Sequence, residues 1–292
     1  MKIFASLLIF FLSFGYLKGQ NNPDSLIKRL KVIEVLINQG EKRAGIIQYD
    51  KNGNMIYDKY DDFASSTYLI VSSSRIYDRD QKLIQDKSTH SSYPNDTTIL
   101  NYNYDRNRNL ISINSKDKKD HALVNYVYDL SGKKIKVFQL SPSGDTISAT
   151  TIHYDEKGNK KEEIIKMGSF ATRLNKIYYD SLKREIKIES IENTKVRFAS
   201  TTLYQSNTNL LLKVIYDEDG TGTELDGVKY KYDDKGRLVA RLHFNLTKGK
   251  ELITGEENFE YFDNNLIKTY SENIFTATHI KRMFIYSYKF NY

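Results

Sequence analysis

The stretch YDEDGTGTELDG, residues 216–227, sets Asp217, Glu218, Asp219, Glu224 and Asp226 among glycines. Carboxylates converging with backbone carbonyls are what calcium requires, so Asp217, Asp219, Glu224 and Asp226 are this chain's metal-ligand candidates. Their spacing is not that of an EF-hand loop, and an acidic turn between two strands is the simpler account. The other groups capable of chemistry are dispersed. His90, His121, His153, His243 and His279 show no metal-ligand spacing. The chain has no cysteine, no glycine-rich phosphate loop and no serine in a nucleophile elbow. A non-catalytic protein is expected, with no cofactor unless calcium binds.

Tyrosine is the remaining chemical resource, at 23 residues. Rings in a row on a sheet can stack on sugars or bases. They can equally cover one another across paired strands, contributing about 0.2–1 kcal/mol per pair. The elements that carry the rings favour the second use, because the tyrosines fall with the apolar set of each strand.

Those elements repeat. QYDKNGNMI begins at residue 48, IYDRDQKLI at 76, NYDRNRNLI at 103, VYDLSGKKI at 127, HYDEKGNKK at 153, YYDSLKREI at 178, LYQSNTNLL at 203 and KYDDKGRLV at 231, with a degenerate YFDNNLIKT at 261. Their shared tyrosines, from Tyr49 to Tyr232, are spaced by 28, 27, 24, 26, 25, 25 and 28 residues. A period near 26 marks one recurring structural unit.

Within the unit, Asp stands first and Gly fourth in a four-residue turn, the preferred places for a type I turn closed by a left-handed glycine. Asp-x-x-Gly is therefore a hairpin hinge. Gly132, Gly158 and Gly236 follow the rule, while Gln81, Arg108, Lys183 and Thr208 take the glycine position at a cost in strain. Before the hinge at Asp233, Val228, Tyr230 and Tyr232 alternate with polar residues. After it, Leu238, Ala240, Leu242 and Phe244 form the apolar set against Val239, Arg241, His243 and Asn245. Nine hinges predict an all-β antiparallel meander of about 18–20 strands in a wound or curled sheet. At the front, VIEVLI reads as part of a strand over residues 32–39, with a helical turn before it.

The phrase KYDDKGRLVARL resembles the YD-repeat family of RHS and bacterial wall-associated proteins, and the resemblance runs over residues 45–265. Four of the eight main phrases lack the glycine, only Arg237 matches the family's arginine after it, and Gln205 replaces the aspartate after Tyr204. The resemblance implies a long sheet that winds around on itself, a bacterial source and no catalytic residues.

The chain opens MKIFASLLIFFLSFGYLKGQ, a short apolar run behind one cation, which predicts a signal peptide over residues 1–19. Residues 20–31 form an N-terminal segment, and 32–292 the β-repeat domain. The formal charge of +7 is interleaved along the chain, so no nucleic-acid partner is expected. The last strand, FIYSYKFNY, sets Phe284, Tyr286, Tyr288, Phe290 and Tyr292 on one face, as does the closing strand of an outer-membrane barrel. Charged segments such as KKEEIIKM and LKREIKIES argue against that alternative. The favoured reading is an exported, extracellular or envelope β protein that binds an unidentified protein or glycan at the cell surface or serves structurally; an integral outer-membrane barrel is the runner-up and an enzyme third.

Overall fold

Short connections join the strands, so the chain lays each strand antiparallel beside the one before it. The computed structural model describes residues 23–62, 69–90, 93–115, 123–141, 143–168, 171–275 and 280–290. The expected signal peptide lies outside these residues. A short helix α1 (Pro23–Arg29) comes first. It starts on a proline, whose missing N–H costs nothing at the first helical position, and places Lys28 and Arg29 in its last turn, where the helix dipole favours cations. Lys31, at φ 53°, turns the chain out of the helix into the first strand.

Among the described residues twenty strands follow: β1 (Val32–Gln39), β2 (Lys42–Tyr49), β3 (Met55–Asp62), β4 (Leu69–Tyr77), β5 (Leu83–His90), β6 (Tyr93–Tyr104), β7 (Leu110–Ser115), β8 (Leu123–Tyr128), β9 (Lys134–Leu140) and β10 (Thr146–Tyr154). The second half comprises β11 (Lys160–Met167), β12 (Ala171–Tyr179), β13 (Glu185–Glu192), β14 (Lys195–Tyr204), β15 (Leu211–Asp217), β16 (Glu224–Tyr232), β17 (Leu238–Thr247), β18 (Lys250–Tyr261), β19 (Ile267–Ile274) and β20 (Ile280–Phe290). Each pairs antiparallel with its sequence neighbours, and β20 returns to β1, with Tyr288 opposite Val35 and Tyr286 opposite Ile37. The meander is thus a closed barrel, and closure removes both sheet edges.

The hinges behave as the turn chemistry dictates. The Asp50 N–H donates to Asn54 O at 2.9 Å and the Gly53 N–H to Asp50 O at 3.0 Å, while Asp50 Oδ1 accepts the N–H groups of Asn52 and Asn54 at 2.8 and 2.9 Å. The same pair of backbone bonds recurs at Asp78, Asp105, Asp129, Asp155, Asp180 and Asp233. Gln81, Arg108 and Lys183 do occupy the left-handed position, at φ 65°, 67° and 61°. Thr208 does not. The loop at Gln205 is one residue longer, the Gln205 N–H reaches Leu210 O, and Asn207 turns left-handed instead at φ 55°.

Beyond the bulge with which the left-handed residue closes each hairpin, as the turn chemistry predicts, a further β-bulge lies behind each hinge. Tyr49 faces Met55 while Gln48 faces Tyr57, leaving Ile56 as an extra residue. The same displacement occurs behind the other eight hinges, at Tyr77, Tyr104, Tyr128, Tyr154, Tyr179, Tyr204, Tyr232 and Tyr261. One extra residue reverses the side on which later residues emerge. The expectation that the tyrosines share a face with Leu242 and Phe244 is therefore corrected: Tyr230 stands opposite Arg241, Val228 opposite His243, and Phe244 opposite Gly227 on the other face.

Along β20, Tyr286 is buried and Phe284 and Tyr288 half-buried, while Met283 and Ile285 are exposed. The hinge tyrosines share the face on which Tyr286 is buried, and this face lines the lumen. At the closure, Val32, Val35, Ile37, Tyr270 and Tyr286 cluster with Ile27 of α1 and Leu266 of the last hinge. The helix thereby covers the seam where first and last strands meet.

Candidate functional site: the lumenal wall

Each bulge leaves a carbonyl outside the regular ladder, and a buried carbonyl without a partner costs about 1–3 kcal/mol. The hinge tyrosine of the following repeat supplies the partner. Tyr77 Oη donates to Met55 O at 3.0 Å, Tyr104 to Leu83 O at 2.9 Å, Tyr128 to Leu110 O at 2.9 Å and Tyr154 to Lys134 O at 2.7 Å. Tyr179 bonds Lys160 O at 2.8 Å, Tyr204 Glu185 O at 3.0 Å, Tyr261 Leu238 O at 2.8 Å and Tyr288 Ile267 O at 2.8 Å. Tyr232 is hydrogen-bonded to the Leu211 backbone. The acceptor is in every case the residue paired with the preceding tyrosine across its bulge. Tyrosine therefore repeats because ring and hydroxyl together tie each hairpin to the one before it. At the hinges each ring thus also carries a hydroxyl tie across the strand pair, a role beyond the ring cover expected from sequence.

Cations reinforce this rim. Lys82, Lys133, Arg184 and Arg237, each following the left-handed residue, lie over Tyr104, Tyr154, Tyr204 and Tyr261 at 5.5, 5.3, 4.6 and 5.0 Å. Arg184 and Arg237 also pair with their own hinge aspartates, Asp180 and Asp233, at 2.6 Å. Arg184 thus makes the same pair of contacts as Arg237, although its hinge has lysine in place of glycine.

Deeper in the lumen, a row of polar residues, four of them ionic, crosses the wall at right angles to the strands: Tyr230, Arg241, Glu257, Glu272 and Arg282 face one another in turn from β16 to β20. Glu257 is buried and accepts from Arg241, from His243 Nε2 at 2.6 Å and from Tyr270 Oη at 3.0 Å. Burial pushes its carboxyl up, but the His243 hydrogen bond and the Arg241 charge outweigh burial and hold it below the usual range. Across the strand pair, burial raises Glu272 against the opposing pull of Arg282, which lies 3.8 Å away. Phe259, Tyr270 and Phe284 stack beside this row at centroid separations of 5.2 and 5.8 Å. A second charged group joins Asp58, Arg75 and Asp86, and burial lifts Asp58 above its ordinary value despite Arg75. Polar and aromatic groups side by side are what a binding wall for a polyol or a peptide segment presents.

The sequence-predicted residues lie elsewhere. Asp217 ends β15, Asp219 sits in the loop, and Glu224 and Asp226 belong to β16. Asp217 Oδ2 accepts the Gly222 N–H at 3.1 Å, and Asp219 Oδ1 accepts the Thr221 N–H and hydroxyl at 2.9 and 2.8 Å. These Thr221 bonds lower the Asp219 carboxyl. Among the described residues, no group of three or more histidine or acidic side chains is placed to hold a metal ion. His153 is exposed on β10, His243 joins the lumenal row, His90 ends β5, and His121 and His279 lie outside the described residues. The row from Arg241 to Arg282 was missed. Its one sequence signal is ionisable residues at inward positions of successive strands, which appears only when the bulge is counted.

No family model matches the chain, and no curated protein matches it. Among solved structures it is similar to a TcdB2–TccC3–Cdc42 crystal structure at 12% identity and TM-score 0.42, covering 86% of this chain and 16% of that one. It is also similar to porin-like proteins from Bacteroides uniformis, at 10% identity, TM-score 0.44 and coverage of 88% and 98%, and from Bacteroides vulgatus, at 12%, 0.32, 89% and 98%. The chain spans about one-sixth of the first of these.

Proposed function

We propose that this is an exported, non-catalytic β-barrel of the bacterial cell envelope or its exterior, with a water-facing outer wall and a lumen that binds a glycan or protein segment or serves structurally. The chemistry of the outer face carries the reading. One residue away from the lumenal row, Lys213, Lys229, Leu242, Glu256, Asn273 and Lys281 face one another in turn across β15 to β20. On the far side, Glu162 faces Lys176, which faces Glu189. Charges at these depths are costly in hydrocarbon, and a lipid-facing wall needs an apolar band about 25 Å tall.

Closure and an even strand number are equally what an integral outer-membrane barrel requires, so that reading stands second. Expression of residues 21–292 without detergent decides between them. A discrete, β-rich, monodisperse species in gel filtration and circular dichroism is expected. Aggregation reversed by detergent would overturn the water-facing reading in favour of the integral barrel.

A further inference from the structure

We infer that the hinge rim from β6 to β13 docks peripherally on an anionic lipid bilayer, with Leu130 and Leu182 as its apolar anchors. Positions two and three of a hinge are otherwise polar: Lys51 and Asn52, Arg79 and Asp80, Arg106 and Asn107, Asp234 and Lys235. The hinge at Asp129 carries Leu130 there, wholly exposed at 110%, and the hinge at Asp180 carries Leu182 at 53%. Neither side chain contributes to the hinge geometry, which the aspartate and the left-handed residue already fix. Only one hinge, that at Asp155, lies between them. With strands about 4.8 Å apart, the two leucines stand roughly 20 Å from each other on one rim.

Cations surround these anchors. Arg106, Arg108, Lys133, Lys157 and Lys183 are all exposed in the same four hinges. The accompanying aspartates are turned into their loops, where Asp105, Asp129, Asp155 and Asp180 each accept backbone N–H groups. Segments 105–111, 129–135 and 155–161 each carry one more cation than anion, whereas segments 50–56, 78–84, 180–186 and 233–239 balance, so the excess lies around Leu130 and the hinges on either side of it. A basic surface bearing two protruding leucines complements a negatively charged headgroup layer above hydrocarbon. The inference goes beyond the binding role proposed for the lumen and leaves the barrel wall in water.

Co-sedimentation tests it. Residues 21–292 would be mixed with phosphatidylcholine vesicles, with and without one-third phosphatidylglycerol, at low salt and at half-molar salt. Binding is expected to the anionic vesicles alone, to be released by salt, and to weaken by about tenfold in the Leu130→Asp, Leu182→Asp double variant, each leucine contributing through its buried carbons. Unchanged melting of the variant confirms that its fold is intact. Failure of the native protein to bind anionic vesicles, or equal binding by the folded variant, would overturn the docking surface and leave the water-facing barrel standing. Retention through high salt, with release only by detergent, would instead overturn the water-facing barrel.

Discussion

Removing one hydroxyl isolates the tyrosine tie. Tyr179→Phe keeps the ring on the lumenal wall but leaves Lys160 O without its donor, so a loss of about 1 kcal/mol is expected in urea denaturation. Tyr179→Ala should cost more, since ring packing is lost with the hydroxyl. Equal stability of native protein and the phenylalanine variant would show that the tie adds nothing beyond the ring. A second site tests the outer wall. Phe244 is fully buried there, between Gly227 below and Lys213 and Lys229 above at 4.5 and 5.5 Å. A Cβ on residue 227 would stand 2.3 Å from Phe244 Cζ and 2.6 Å from Val214 O. Gly227→Ala should therefore destabilise by about 1–3 kcal/mol through overpacking, read from the same denaturation midpoint.

Titration divides the carboxylates into two opposed groups. Glu272 is raised chiefly by burial, so its contribution to stability is full below its unfolded value of 4.5 and is lost as pH rises through its folded value. Asp105, Asp129 and Asp155 are lowered, the first cause in each case being a side-chain hydrogen bond within the hinge. Their contribution is present above 3.8 and lost as pH falls below it. Stability should therefore peak in mildly acidic solution. Glu272→Gln, neutral at every pH, should flatten the decline between pH 5 and 8 in a series of melting curves; a slope identical to native would show that Glu272 has no part in it.

At the scale of the element, the hinge is where sequence and structure agree most closely, because its determinants are local. Asp, its turn partners and the left-handed residue lie within five positions, and the exceptions at Gln81, Arg108 and Lys183 were legible from the missing glycines. Replacing Lys183 by Gly removes the left-handed strain of a residue with a Cβ and should stabilise by about 1 kcal/mol, measured by denaturation. A loss of stability would mean that the Lys183 side chain contributes more than its backbone strain costs. Strand β1, with a helical turn before it, was also foreseen. The face assignment after each hinge was not, because period-two patterning presumes an unbroken ladder and the bulge inserts one residue. Thr208 shows the same limit: a loop longer by one residue shifts the left-handed position to Asn207. Arg241, Glu257 and Glu272 lie on three strands, so only register brings them into one row. The acidic cluster was conspicuous because its residues are close in sequence, yet its own Thr221 and Gly222 N–H groups occupy Asp219 and Asp217.

For the whole molecule, the repeat count foretold the number of strands, and the pairing of β20 with β1 resolved whether the sheet closes. Closure makes the first and last strands ordinary neighbours. A circular permutant that joins the ends through a flexible linker and opens the chain between Asn193 and Thr194, in the turn between β13 and β14, should fold to the same β-rich species, assayed by circular dichroism and gel filtration. Loss of β20 should instead expose two unpaired edges and lead to aggregation.

The ties between successive hairpins also make the barrel's bore a matter of arithmetic. Each unit of roughly 26 residues brings one hinge, one bulge and two strands, together with a tyrosine that accepts its place from the hairpin before. Gain or loss of one unit preserves an even ring and changes the diameter by about 3–4 Å. Gene duplication within such a chain would thus act as a calibre, widening or narrowing the passage in fixed steps while every joint stays the same.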